Sequence, residues 1–291
     1  MLHNQLLAPK DGQCHGSLKK LPRDYDFTVV IPNFECVEML EASVNLWREA
    51  SPQPYIIIID TGSCVSTVKR IEELRGNNCE IHYLRAHSWM HPSEPVSMAM
   101  DLATMHCQTK WMMATHADCF PRARDLFDQF RVIAEEQESP CVGYQITDRP
   151  HWVVNGERCH DSDWMVGHTM TLIDRDYFEK NRILWSLRAG CATKGWDISL
   201  HGNPVNKPNV IDTEVFINYE LKRLGKPPVL IGDREENYVR NVNQHFDHVR
   251  SAPSAMIYAK AGSVIRRNQV EWKGKAIALA KSRLKRWKEA V

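Results

Sequence analysis

The run Tyr55-Ile56-Ile57-Ile58-Ile59 constrains this chain more than any other feature. Successive side chains of a strand leave opposite faces of its sheet, so a half-exposed strand alternates apolar and polar residues. An unbroken apolar run rich in β-branched residues is instead buried on both faces, as in a parallel sheet covered by helices. Phe27 to Ile31 (F-T-V-V-I) has the same character, and Pro32 marks its expected end. Segments with helical spacing fall between such runs. Glu35 to Glu49 turns Met39, Ala42, Ser43, Leu46 and Trp47 inward, and Val65 to Leu74 and Val96 to His106 follow. A third strand is expected over Glu80 to Leu84 and a fourth over Lys110 to Thr115. Strands alternating with helices predict an α/β fold with a mostly parallel sheet flanked by helices.

The fourth strand leads into Thr115-His116-Ala117-Asp118. Open α/β sheets bind ligands at the carboxyl ends of their strands. In extended chain, residues two apart lie on one side, so His116 and Asp118 can reach one ion. Beyond this point the sequence predicts a helix over Arg122 to Gln137 and a strand over Cys141 to Ile146. A loop follows from Asp148 to Trp164, then a strand from Met165 to Ile173 and a short helix from Arg175. Trp185 to Pro208 reads as irregular, Asp212 to Leu224 as a helix, and Val229 to Gly232 as a short strand. Trp152, Trp164, Trp185 and Trp196 fall in these segments, where one or two are expected to stack on a bound ring and the others to pack in the core. Asp161 and Asp163 are candidate ligand contacts that the spacing does not compel.

Three segments are expected: an N-terminal leader over 1–24, a catalytic domain over 25–258, and a basic helical tail over 259–291. From Lys260 onward ten Lys and Arg face two Glu, a net of +8 in a chain whose formal charge is +1. An acidic body with a basic tail points to an anionic surface as partner, nucleic acid or lipid headgroups. The alternative is a solvated helix that packs the narrow seam of Ile277, Ala280, Leu284 and Trp287 on the body. Nine scattered cysteines, never in C-x-x-C, argue against a zinc ribbon and a disulfide framework. Free thiols in a reducing cytosol fit better. No stretch is long and apolar enough to span a membrane, and the N-terminus lacks a signal peptide's apolar core. A cytoplasmic protein, with peripheral membrane contact as the tail's alternative, is the expected location.

Four landmarks together resemble family-2 glycosyltransferases of the GT-A fold. Phe27-Thr28-Val29-Val30-Ile31-Pro32 resembles the family's opening strand, and Ile58-Ile59-Asp60-Thr61-Gly62-Ser63 its nucleotide turn. Thr115-His116-Ala117-Asp118 falls where the family has D-x-D, and Val210-Ile211-Asp212-Thr213-Glu214 where it has an acidic motif at a helix start. The resemblance covers roughly residues 25–255. It implies metal-dependent transfer of a sugar from a nucleotide-sugar donor to a hydroxyl acceptor, with inversion. The acceptor would be a glycan, a lipid-linked glycan or a modified nucleic acid.

On that resemblance Pro32, Asp60, Gly62 and Ser63 hold the nucleotide, and Arg250 suits a phosphate. Asp60 has a plainer reading as the acceptor of an Asx-turn. Asp118, His116 and His248 would hold a divalent metal. A histidine where the family prefers an acid favours Mn2+ over Mg2+. Asp118 as a helix cap, or His116 on a phosphate or simply packed, are the competing readings. Asp212 matches the catalytic base and Glu214 an orienting or substitute carboxylate, although acids also favour a first helical turn for its dipole. Two alternatives stay open: transfer to modified bases of DNA, as in viral hypermodification, and a degenerate domain that binds a nucleotide or glycan without turnover. Thr61, His116 and Ile211 depart from the family pattern and keep the second alive. No Gly-rich phosphate loop supports a different nucleotide-using enzyme.

Overall fold

The computed structural model describes residues 25–84, 93–144, 152–158, 166–200, 203–204, 214–231, 241–242, 246–248 and 264–290. Its centre is a sheet of seven strands. In chain order these are β1 (Phe27–Asn33), β2 (Tyr55–Asp60), β3 (Cys79–Tyr83), β4 (Trp111–Ala114), β6 (Cys141–Gly143), β9 (Thr171–Asp174) and β12 (Val229–Leu230). They lie in the order β12-β6-β9-β4-β1-β2-β3. β1 is parallel to β2 and β4, and β2 to β3, whereas β9 runs against both β4 and β6.

The double-sided burial expected of the apolar runs is met residue by residue. Phe27, Val29, Ile31, Ile56 and Ile58 enter one core, while Val30, Ile57 and Ile59 enter the other. The first core is closed by α1 (Val37–Arg48), α4 (Leu126–Glu136) and α8 (Val264–Glu289). The second is closed by α3 (Ser93–His106), α5 (Arg175–Asn181) and α7 (Val215–Arg223). α2 (Val65–Glu72) covers the first core beside α1 through Ile71.

Four segments differ from the sequence reading. In one, the strand expected over Met165–Ile173 begins only at Thr171 as β9, because Met170 just before it takes a left-handed φ of +53°. β1 does not stop at Pro32 but continues to Asn33, which pairs with Asp60. In a parallel ladder alternate residues bond to alternate sides. Val30 accepts from Thr115 on the β4 side, and the β1–β4 ladder ends there, so the missing N–H of Pro32 faces no strand. Arg122–Gln137 is not one helix, because α4 starts only at Leu126. Ahead of it Cys119–Pro121 forms strand β5, which the sequence reading did not include, paired with β14 (Phe246–His248), which also pairs with β13 (Asn241–Val242). The stretches read as loops carry structure too. β7 (Trp152–Val154) and β8 (Glu157–Arg158) make a hairpin around Asn155-Gly156, both at positive φ. α6 (Leu187–Lys194) is capped by the Ser186 hydroxyl and ends at left-handed Gly195. β10 (Ile198–Leu200) pairs with β7 and with β11 (Asn203–Pro204).

α6 lies on α7 at Gly190. A Cβ built there would stand 2.5 Å from the buried Phe216 ring. Gly190→Ala is therefore expected to force the helices apart at a cost of about 1–3 kcal/mol. A melting curve unchanged to within a degree would show that the contact yields freely.

α8 packs its seam along α1, with Ala276 and Ala280 buried and Ile277, Leu284 and Trp287 against the first core. Part of its positive charge is spent on the body. Lys273 meets Glu38 at 2.6 Å, Arg283 meets Asp247 at 2.7 Å, and Lys288 meets Glu49 at 3.7 Å. Among the described residues no helix is long and apolar enough to cross a membrane, and every cysteine is a free thiol.

Candidate functional site at the carboxyl edge of the sheet

β1, β2 and β4 run parallel and end together at Asn33, Asp60 and Ala114, so their following residues share one edge of the sheet. Asp60 organises the first half of that edge. Its Oδ1 accepts from the backbone N–H of Gly62 (3.1 Å) and Ser63 (2.8 Å). Its Oδ2 accepts from the Ser63 hydroxyl (2.6 Å) and from Asn33 Nδ2 (2.9 Å). Four donors on one buried carboxylate make a closed Asx-type turn. Gly62 turns it at φ +115°, a conformation L side chains rarely adopt. Thr61, where the resemblance expects a second acid, donates its hydroxyl to the Asn33 carbonyl at 3.0 Å. The departure at this position therefore ties β1 to β2. Pro32 is buried within β1 beneath this turn.

Two polar atoms at this edge are buried and lack a partner among the described residues: Asn33 Oδ1 and Thr115 Oγ1. Asn33 ends β1, and Thr115 directly follows the neighbouring β4. Buried polar atoms are nearly always hydrogen-bonded, so such orphans mark where a further group belongs.

β4 exits into a tight turn in which Cys119 N–H donates to the His116 carbonyl at 3.1 Å. This brings His116 Nδ1 to 3.9 Å from Asp118 Oδ1, with the histidine about a quarter exposed and Asp118 buried. The Ser43 hydroxyl of α1 holds the Cys119 carbonyl at 2.8 Å and fixes the turn from below. β14 runs beside it, with the backbone of His248 opposite Cys119, one residue from Asp118.

The His116 ring stacks on His168 at 4.3 Å between centroids and 28° between planes. His168 Nδ1 is in turn hydrogen-bonded to Glu214 Oε1. Glu214 is 1% exposed and stands at the N-cap of α7. Asn218, one turn further along α7, locks the His168 segment to this helix. Its amide donates to the Val166 and Glu214 carbonyls (2.9 and 2.8 Å) and accepts from Val166 N–H (2.8 Å). Asp118, His116, His168 and Glu214 thus form a continuous line from the turn after β4 to the head of α7.

Of the residues singled out in the sequence, Pro32, Asp60, Gly62, Ser63, His116, Asp118 and Glu214 are at or next to this edge. Asp212, Arg250, Asp161, Asp163 and Trp164 lie outside the described residues, and of His248 only the backbone is described. Trp185 is not an acceptor platform. Its ring is fully buried and its indole N–H donates to Thr104 at 3.2 Å. Trp196 packs on Phe216 and Tyr219 of α7 at 5.1 and 5.0 Å. His168 and Asn218 were not legible in the sequence: nothing distinguishes one histidine after a glycine, or an asparagine in mid-helix, without the fold that makes them meet. His116 and Asp118 supply two candidate metal ligands, and among the described residues no group of three His, Cys, Asp or Glu is placed to hold an ion. Two protein ligands suit a cation that takes its remaining oxygens from a diphosphate and water. A groove of about 250 Å³ between α1, α2 and α8 shares no residue with this edge.

The six parallel strands, the single reversed strand β9 and the ligand edge at their carboxyl ends define a GT-A-like α/β fold. No family model matches the chain, and no curated protein does. Among solved structures, the mannosyltransferase PcManGT from Pyrobaculum calidifontis, in complex with GDP-Man and Mn2+, is similar over 99% of this chain and 80% of its own. The identity is 12% and the TM-score 0.51. S. aureus TarS is similar over 55% of this chain and 30% of its own, at 14% identity and a TM-score of 0.42. The bifunctional glycosyltransferase WbbM, in its apo form, gives 55%, 33%, 10% and 0.40 for the same measures. The chain thus spans about a third of the TarS and WbbM chains it matches. At these identities the likeness is one of fold.

Proposed function

We propose that this protein is a glycosyltransferase that moves a sugar from a nucleotide-sugar donor to a hydroxyl acceptor, with a divalent cation, Mn2+ before Mg2+, and with inversion. The observation that carries this reading is the line of side chains from Asp118 through His116 and His168 to Glu214 at the carboxyl edge of a GT-A-like sheet. The similarly folded mannosyltransferase solved with GDP-Man and Mn2+ supports the donor class and the metal.

In this reading the Asn33–Asp60–Ser63 turn receives the nucleoside, and the orphan Asn33 Oδ1 offers it an acceptor. Asp118 and His116, with His248 as third ligand and Arg250 on a phosphate, would hold the cation and diphosphate. When bound, such a cation neutralises charge on the leaving diphosphate. Asp212, two residues before Glu214 in the sequence, removes the acceptor's proton as its oxygen attacks the anomeric carbon. Glu214, one oxygen held by His168, orients that acid or takes its place.

The donor and metal are tested together by a thermal-shift series of nucleotide-sugars with and without Mn2+. Stabilisation that needs both supports the assignment, and none with any donor would end it. Asp212→Asn is expected to lower transfer at least a hundredfold, about 2.7 kcal/mol, while sparing donor binding. Near-normal turnover would move the base elsewhere. A second reading, binding without transfer, draws on Thr61 and on the closed hydrogen bonding of Asp60. Release of free sugar or its transfer in the presence of Mn2+ would dispose of it.

A further inference from the structure

β14 brings the backbone of His248 beside Asp118, yet its ladder to β5 has only three residue pairs and its ladder to β13 only two. Strands this short do not hold themselves in place. What anchors β14 is Asp247 at its middle, 2% exposed. Asp247 Oδ1 accepts from Arg122 Nε and Nη2 at 3.1 and 2.9 Å, and Oδ2 from Arg283 Nη2 at 2.7 Å. Arg283 reaches in from α8, is itself buried, and through Nη1 also donates to the Pro121 carbonyl of β5 at 2.7 Å. One planar guanidinium thus grips both strands of the ladder, which an ammonium cannot do with the same geometry.

We propose that Arg283 is a positioning residue: the C-terminal helix clamps β14 to β5 and so sets where His248 stands relative to Asp118. Through this one residue the helix positions the site, and it is not an appendage that merely carries charge. The inference rests on the reading of His248, His116 and Asp118 as holding a cation with a diphosphate.

The test compares the full chain with Arg283→Met, Arg283→Lys and Lys273→Met. Binding of Mn2+ is read from the electron paramagnetic resonance signal of the free ion, with each common nucleoside diphosphate present. Hydrogen exchange at residues 119–121 and 246–248 is read alongside. Arg283→Met is expected to weaken Mn2+ binding at least tenfold and to speed exchange in both segments. Arg283→Lys keeps the charge on Asp247 but not the second grip on Pro121, and should fall between, at least threefold below the unmodified chain. Lys273→Met cuts the ion pair of the same helix with Glu38 and should leave binding unchanged. Unaltered binding in Arg283→Met overturns the clamp, as does an equal loss in Lys273→Met, which would mean that α8 acts through stability alone. If Arg283→Met does not fold, Arg283→Lys decides: weakened binding in an intact fold supports the clamp, and unmodified binding overturns it. Failure of the unmodified chain to bind Mn2+ with any nucleoside diphosphate overturns the functional reading itself, and the clamp with it.

Discussion

Asp118→Ala is expected to abolish Mn2+-dependent stabilisation by a nucleoside diphosphate and to reduce sugar transfer at least a hundredfold. Asp118 is buried on a turn whose backbone is fixed independently by Cys119 N–H and by Ser43, so its removal leaves the turn in place. What disappears is the carboxylate beside His116. The imidazoles of His116 and His248 alone are a poor anchor for a hard divalent cation that prefers oxygen. Asp118→Asn keeps the shape without the charge and should also fail, which separates electrostatics from packing. Transfer within a few-fold of normal in Asp118→Ala would place the diphosphate elsewhere.

The second large effect concerns stability against pH. Asp101 of α3 is wholly buried in the second core, where burial raises its pKa to about 7, even though two N–H donors oppose the rise. Those donors are the backbone groups of Trp185 (2.6 Å) and Ser186 (3.1 Å), so the carboxyl holds the entry to α6 against α3. A carboxyl titrating higher in the folded than in the unfolded chain binds more protons when folded. Its stabilising contribution is complete below about pH 4 and is lost as pH rises through about 7. A shift of that size corresponds to at most about 4 kcal/mol. The unmodified chain should therefore melt several degrees higher at pH 5 than at pH 8.5, beyond any slope retained by Asp101→Asn. The variant, uncharged throughout, starts lower, because one of the two N–H groups meets an amide nitrogen, at about 1–3 kcal/mol. Parallel pH profiles for the two proteins would show that Asp101 is not the titrating group.

The sheet was legible where burial leaves no choice. Isoleucines at Ile56 to Ile59 must be covered on both sides, and that requirement placed β2 in a mostly parallel sheet with helices on its faces. The seam of α8 was legible for the same reason, since Ile277, Ala280 and Leu284 are apolar among cations. Direction was not: Thr171-Leu172-Ile173 is equally apolar whichever way it runs, so the reversal of β9 came only with its partners. β5 was hidden because its partner lies some 125 residues away, as the Arg122–Asp247 contact measures. Asn155-Gly156 and the Ser186–Gly195 pair, by contrast, were local turn and cap signals within stretches whose many Trp and Asp suggested loops. At the site, motif order pointed to Asp60, His116, Asp118 and Glu214, but not to the stacking of His116 on His168 that links two of them.

The grip of Arg283 on β5 and β14 also bears on how the protein is made. Domains fold largely as units while they leave the ribosome. Cys119–Pro121 emerges long before Phe246–His248, and both precede the residue that fastens them together. The first core strands can assemble early, but the edge beside Asp118 stays loose until residue 283 has cleared the exit tunnel, so a chain stalled before that point would carry a nearly complete sheet with an unfinished mouth.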